Sequence, residues 1–446
     1  MMNYDVIIIG GGVAGYSAAL KCLENGLKTA VISSGQSALH FSSGSIDLLT
    51  HSPVTNKPIR KPLKTIKKLE SELPSHPYAK LGATKVEEAL NWFQQKMEQQ
   101  GLPLYKQDNG DNHYRISTMG TLKPTWLSQP FVKQIDFDFK ALEGIKRIIM
   151  ISMDGFRDFQ PQIAKDNIGR YAEFNGIEIR NASISLTAFG QLNRNPCDFR
   201  SIDISRILRD EVQFKEFANQ LTNAANPDDL VVLPSIMGNG DGLRLMGKLK
   251  EYTNLQFHEV PTMPPSLLGI RIEDVLMRSF IKNGGSLHKG DEVLKGNFEE
   301  RDGELKLTRI HTKKMGDLTL GADHFIFATG SFFSKGLVAH QQNIIEPVFN
   351  LDMCDIGKRS EWHQNDFFSQ SPHAFLGFGV KTDERFLPFV EGKKVNNLFC
   401  AGSILADYNP VAHGCGSGVA ISTACNAVDN ILQELQQEMH MKEATA

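Results

Sequence analysis

The sequence predicts an α/β fold: a doubly wound parallel sheet interrupted by an inserted second domain of mixed α+β character. Three observations predict it. The chain opens on an apolar strand, Asp5-Val6-Ile7-Ile8-Ile9, that runs straight into Gly10-Gly11-Gly12-Val13-Ala14-Gly15. A second apolar run, Asp323-His324-Phe325-Ile326-Phe327, ends in Ala328-Thr329-Gly330. A third, Asn397-Leu398-Phe399-Cys400-Ala401-Gly402, leads through a loop to Gly414, Gly416 and Gly418 and a terminal helix. In a doubly wound sheet such strand ends meet along one crevice, and ligands bind there.

The first element is G-x-G-x-x-G between a strand and a helix, the phosphate-binding turn of a Rossmann-like βαβ unit. Gly10 permits the tight turn, Gly12 lets backbone approach a phosphate, and Gly15 lets helix pack closely on strand. The helix N-terminus then offers amide groups and a positive dipole end to an anion. A second strand is predicted over 29–33. A dinucleotide site usually has Asp or Glu at the end of that strand, bonding the adenosine ribose. Here the strand ends in Ser33-Ser34-Gly35-Gln36. Either serine hydroxyls such as that of Ser33 hold the ribose, or there is no adenosine to hold. A ligand with one terminal phosphate, such as FMN, would make the acid unnecessary.

The remaining elements divide the chain into five stretches. Residues 1–103 form the first part of the nucleotide-binding domain, with a Pro- and Lys-rich connection over 51–80 and a helix over 86–99 that Gly101-Leu102-Pro103 stops. Residues 104–265 form the inserted domain. Within it, 147–153 and 230–233 read as buried strands, 177–186 alternates as a strand with one buried face, and 205–221 reads as one helix. The glycines from Met237 to Gly242 match no fingerprint and read as a surface turn. Residues 266–330 return to the first domain, with a helix over 272–283, a strand near Glu292-Val293-Leu294 and a hairpin turned at Asp302-Gly303. Residues 331–395 extend the cap, and 396–446 supply the last strand and a helix over 419–432.

Composition sets limits. At 446 residues, with 41% apolar and 22% charged residues, the chain suits a globular protein of two or three domains. A net charge of −3 supplies no cationic field for nucleic acid. The basic stretch at Lys57, Arg60, Lys61, Lys64, Lys67 and Lys68 reads as a solvated face. No window approaches the roughly 18 apolar residues that span a bilayer, and no targeting signal is evident. The six cysteines (Cys22, Cys197, Cys354, Cys400, Cys415 and Cys425) are scattered without C-x-x-C. That fits a reducing, cytoplasmic setting, and no metal or iron–sulfur centre is expected on this chain.

The terminal helix opens on Gly414, Gly416, Ser417 and Gly418, so its positive end suits a group that becomes negative, as a reduced flavin does on its N1 side. Ala328, Thr329, Gly330 and Gly402 allow close backbone approach. Ser42, Ser43, Gly44 and Ser45, where the chain leaves the second strand, offer hydroxyls and amides to the flavin ring or phosphate, or form an ordinary polar turn. His413 could move a proton in alcohol oxidation, or simply be satisfied by a backbone carbonyl. Arg271 could pair with a substrate phosphate, or form a salt bridge. His373 and Arg385 are weaker candidates, and no catalytic residue is assigned.

These motifs resemble the signatures of the two-part flavoprotein fold related to glutathione reductase. The stretch from Phe41 to Leu49, the missing ribose acid and Asp407-Tyr408-Asn409-Pro410 are similar, more narrowly, to the B-subunit family of bacterial anaerobic glycerol-3-phosphate dehydrogenases. The resemblance implies oxidation of sn-glycerol 3-phosphate to dihydroxyacetone phosphate with electrons passed to a quinone. It implies FMN here (FAD being the alternative), a partner A-subunit carrying FAD, and a membrane-anchoring iron–sulfur C-subunit that would hold this chain at the inner membrane. Two other readings remain: a stand-alone FAD-dependent oxidoreductase acting on another small substrate, or an assembly protein with a vestigial nucleotide fold.

Overall fold

Val6, Ile7 and Ile8 have no exposed surface and Ile9 only 4%, as a strand covered on both faces of a parallel sheet requires. In the computed structural model they belong to β1, and the structure describes residues 2–191, 199–367, 369 and 371–445. Cys197 lies outside the described residues. The chain forms two units, one of residues 1–38, 47–96 and 275–446, the other of 39–46 and 97–274.

The first unit begins with β1 (Met2–Ile9), α1 (Val13–Glu24) and β2 (Thr29–Ser33), and continues with α2 (Pro62–Glu72), α3 (Pro77–Leu81) and most of α4 (Ala83–Gln99). The second contributes β3 (His113–Ile116), β4 (Leu122–Thr125), β5 (Arg147–Met153), α5 (Pro161–Ile168), β6 (Glu178–Ile184) and α6 (Ser201–Ile207). It continues with α7 (Glu211–Ala224), β7 (Asp229–Pro234), α8 (Gly242–Thr253), β8 (Gln256–Val260) and the start of α9 (Leu267–Lys282). The chain returns to the first unit with β9 (Ser286–Lys289), β10 (Val293–Arg301), β11 (Glu304–Thr312) and β12 (Thr319–Phe327). Two short antiparallel pairs follow, β13 (Val338–Ala339) with β14 (Ile344–Ile345) and β15 (Phe389–Val390) with β16 (Lys393–Lys394), before β17 (Leu398–Cys400) and α10 (Gly416–Thr445).

In the first unit the strands β9, β2, β1, β12 and β17 pair in that order, all parallel. The β10–β11 hairpin extends the sheet by pairing antiparallel with the first half of β12, and leaves its second half to β17. Asp302 (φ 53°) and Gly303 (φ 80°) turn that hairpin, both in the left-handed region that such a tight turn demands. Small side chains let α1 lie close to α10: Ala14, Ala18, Cys22, Ala420, Ala424 and Cys425 are all buried. Lys21 of α1 pairs with Asp429 of α10 at 2.6 Å.

The second unit has its own sheet, ordered β6-β5-β7-β8 and parallel throughout, beside the small β3–β4 hairpin. Trp126, fully buried, follows that hairpin and donates its indole N–H to the Gly110 carbonyl.

Local chemistry explains three departures from the sequence reading. The helix expected over 205–221 is two helices, because the Asp210 carboxylate accepts from the amides of Val212 and Gln213 and starts α7 afresh. The strand over 177–186 has no buried alternating face; β6 is the sheet's edge and only Ile184 is buried along it. The segment from Met237 to Gly242 reaches the surface only at its middle, where Gly240 is exposed. Met237, Gly238 and Gly242 are buried, and the Gly238 carbonyl accepts from Arg271 Nε at 2.7 Å.

Candidate functional site

The loop between β1 and α1 is held by its glycines in different ways. Gly10 has φ 124°, and a Cβ there would collide with the Ala328 carbonyl. A Cβ on Gly15 would collide with the Gly10 carbonyl. Gly12 has neither reason to be glycine. Its backbone is extended (φ −89°), and a Cβ on it would meet nothing within 4 Å. No side chain caps α1 at Gly12 and no acidic residue stands in its first turn. The positive end of the helix dipole is therefore uncompensated by its own sequence.

Gly10, Gly11, Gly12 and Ala14 form one wall of a groove of about 470 Å³. The other walls come from the loop after β2 (Ser33 to Ala38), from Asp291 to Val293, and from Ala328, Thr329 and Gly330 at the end of β12. Every lining residue belongs to the first unit. The Thr329 hydroxyl at this wall is a buried oxygen without a hydrogen-bond partner among the described residues. An open face at Gly12, an uncapped helix start and an unpartnered hydroxyl together fit a phosphate-bearing nucleotide.

The loops after β2 and β9 are tied together. The Ser33 carbonyl accepts from the amides of Gly290 and Asp291, at 2.7 and 3.2 Å. The Ser33 hydroxyl donates to the Gly35 carbonyl at 3.1 Å. The carboxylate absent from the end of β2 has a neighbour in Asp291, which sequence reasoning missed. Its carboxylate accepts from the amides of Glu292 and Lys314, at 2.9 and 2.8 Å. Burial pushes that carboxyl up, but the nearby Thr312 hydroxyl and the bonds from these amides bring it below the usual range. The one signal was Gly290-Asp291 after a short polar strand.

Of the residues singled out from sequence, Gly10, Gly12, Ser33, Ala328, Thr329 and Gly330 line the groove. Gly402 does not, although Ala401 and Ser403 do; its amide donates to Thr423 Oγ1 at 3.0 Å. Gly414, Gly416, Ser417 and Gly418 are also outside it. Ser417 Oγ accepts from the Asp47 amide at 2.8 Å, and the Gly418 amide donates to the Asp47 carbonyl at 3.0 Å. Cβ atoms on Gly414 and Gly418 would collide with Thr50 Oγ1 and Tyr78 Oη. These glycines let the start of α10 pack on residues 47–50 and Tyr78.

Ser42, Ser43, Gly44 and Ser45 belong to the second unit. There Gly44 (φ 67°) fits under the Leu268 carbonyl, and its own carbonyl accepts from Gln129 Nε2 at 2.9 Å. Arg271, also in that unit, is buried and directed inward. Its Nη1 donates to Glu259 Oε2 at 2.6 Å, and its guanidinium lies 3.7 Å from the centre of the Phe131 ring. The remaining Glu259 oxygen accepts from the amides of Ile236 and Met237 at 3.1 and 2.9 Å. His413 is half-buried, and its Nδ1 accepts from the Asn409 amide at 3.3 Å. His373 bridges the Gln364 amide and the Phe367 carbonyl, and Arg385 pairs with Glu434. Burial pushes the thiols of Cys22 and Cys425 up to about 12 and that of Cys415 higher, so none is a ready nucleophile.

The FAD binding domain family matches residues 5–419. The chain is 49% identical over 441 residues to the B-subunit of the anaerobic glycerol-3-phosphate dehydrogenase of Aliivibrio fischeri, covering 98% of this chain and 96% of that protein. It is 47% identical to the corresponding B-subunit of Vibrio cholerae, covering 98% of each. A solved 3-ketosteroid Δ1-dehydrogenase from Sterolibacterium denitrificans is 10% identical with a TM-score of 0.45, covering 97% of this chain and 100% of that one. With its parallel glycine-tipped sheet and full-length relatives, this flavoprotein oxidoreductase chain belongs to the FAD-binding domain family and, within it, to the B-subunits of anaerobic glycerol-3-phosphate dehydrogenases.

Proposed function

We propose that the groove at the start of α1 holds the phosphate of FMN, and that the chain is the flavin-bearing subunit through which glycerol 3-phosphate is oxidised to dihydroxyacetone phosphate. The observation that carries this is Gly12. Fold geometry explains Gly10 and Gly15, whereas Gly12 lines the groove with open space at its Cβ, and a ligand against the backbone accounts for it. When bound, the flavin supplies a two-electron acceptor for the hydride on the alcohol carbon. The amides that open α1 bind the phosphate, and the helix dipole contributes roughly 0.3–2 kcal/mol. Thr329 Oγ1 is placed to donate to it, and Gly10 keeps the loop tight enough for both.

FMN rather than FAD is supported by the end of β2, where no carboxylate stands and the Ser33 hydroxyl is directed to Gly35. A second reading, FAD, has its own support. The groove continues past the glycine loop along Ser33 to Ala38 and Asp291 to Val293, where an adenosine half would lie.

A member of this B-subunit family is by its nature part of a multisubunit complex, and among the described residues no helix is long and apolar enough to cross a membrane. We infer two partners: an FAD-bearing A-subunit, and an iron–sulfur C-subunit that carries electrons to quinone at the membrane. The test is the visible spectrum of the gently purified protein, followed by acid release and chromatography of any flavin. FMN supports the first reading and FAD the second. A colourless protein overturns both, and points to a chain that serves assembly.

A further inference from the structure

A buried cluster in the first unit has no part in the groove. One ring nitrogen of His76, one of His413 and Cys415 Sγ lie within 4.8 Å of one another. Residue types and spacing suggest a metal centre, but the hydrogen bonds forbid it. His76 Nδ1 accepts from the Tyr78 amide at 3.0 Å, capping α3. His413 Nδ1 accepts from the Asn409 amide. A neutral imidazole that accepts at Nδ1 carries its proton at Nε2. A metal-ligating histidine does the opposite, donating through the nitrogen that does not bind the ion. Both rings are kept neutral by burial, which lowers His76 to about 3 and His413 to about 4.

What remains is a set of donors. His76 is 1% exposed and its Nε2 has no partner among the described residues. Tyr408 is 3% exposed, its hydroxyl likewise has no partner, and its ring meets His76 edge-on at 5.9 Å. The His413 ring lies 5.9 Å from that of His76. Buried donors without acceptors cost about 1–3 kcal/mol each. His413 is half-buried and the neighbouring Val411 is 72% exposed, which marks the side open to solvent.

We propose that His76, Tyr408 and His413 form a donor-lined recess that binds a negatively polarised oxygen of a ligand, and not a metal ion. The oxygen belongs either to the phosphate or alcohol of glycerol 3-phosphate or to a carbonyl of the flavin ring. Only this choice of owner rests on the function proposed above.

The test compares the full-length, flavin-loaded protein with His76→Asn and Tyr408→Phe. Asparagine keeps an acceptor for the Tyr78 amide while withdrawing the ring donor, and phenylalanine removes only the hydroxyl. If the oxygen is the substrate's, both variants bind glycerol 3-phosphate about 10-fold more weakly by calorimetry, with the flavin spectrum unchanged. If it is the flavin's, both shift the flavin absorption maximum and leave that affinity unchanged. Folded variants that change neither overturn the recess. So does a cobalt(II) titration that raises a thiolate charge-transfer band lost in Cys415→Ser. A wild-type protein that holds no flavin and no glycerol 3-phosphate sinks the functional reading alone. The recess is then judged by nitrogen-15 shifts of the His76 ring during titration with inorganic phosphate: movement supports it, and no movement overturns it.

Discussion

At Arg271 the guanidinium is committed on three sides: Glu259, the Gly238 carbonyl and the face of Phe131. A buried ion pair adds little net stability, but removing one partner strands the other charge. Arg271→Met is therefore expected to destabilise the second unit by about 3–5 kcal/mol, measured as a lowered urea midpoint. Adding Glu259→Gln to it should recover much of that loss. Sequence alone left Arg271 open between substrate and salt bridge. Its partner stands only 12 residues away, but the geometry that joins them comes from β8 and α9 meeting around a loop after β7. Gly12, by contrast, was legible because the fingerprint names its job.

At the scale of elements, α1 permits a clean separation of ligand binding from folding. Gly12→Val points a side chain into open space, so the melting temperature should change little from that of the flavin-free wild type while the flavin-to-protein ratio falls to near zero. Gly15→Ala should lower the melting temperature, because its Cβ collides with the Gly10 carbonyl of the glycine loop. Absorbance at the flavin maximum and a thermal melt check both. A fully yellow Gly12→Val protein would displace the phosphate from this loop. The β1–α1–β2 unit, β5 and β12 were readable because apolar runs and glycines encode them locally. Strand β9 was not, since Ser286-Leu287-His288-Lys289 has no fully buried residue and owes its place to pairing with β2. Asp291 was lost with it.

Over the whole molecule, histidines held neutral make stability depend on pH. His76 is depressed to about 3, and His413 and His258 to about 4, burial being the first cause for each. An unfolded histidine takes its proton near pH 6.5. The unfolded chain thus binds more protons than the folded one at pH between about 4 and 6.5. Stability should be full above that range and decline as pH falls through it, by about 1.4 kcal/mol per pH unit for each fully buried histidine. Urea midpoints at pH 7.5, 6 and 5 check this, and His258→Gln should flatten the slope. Membership in a multisubunit complex was not legible in composition, because nothing in residue counts or net charge distinguishes one member of an assembly from a monomer.

The chain has three tryptophans. Trp92 and Trp362 belong to the first unit, whereas Trp126 belongs to the second and is sealed from water. With the other two replaced by phenylalanine, emitted light would come from the second unit alone, and a red shift would time its opening independently of flavin release.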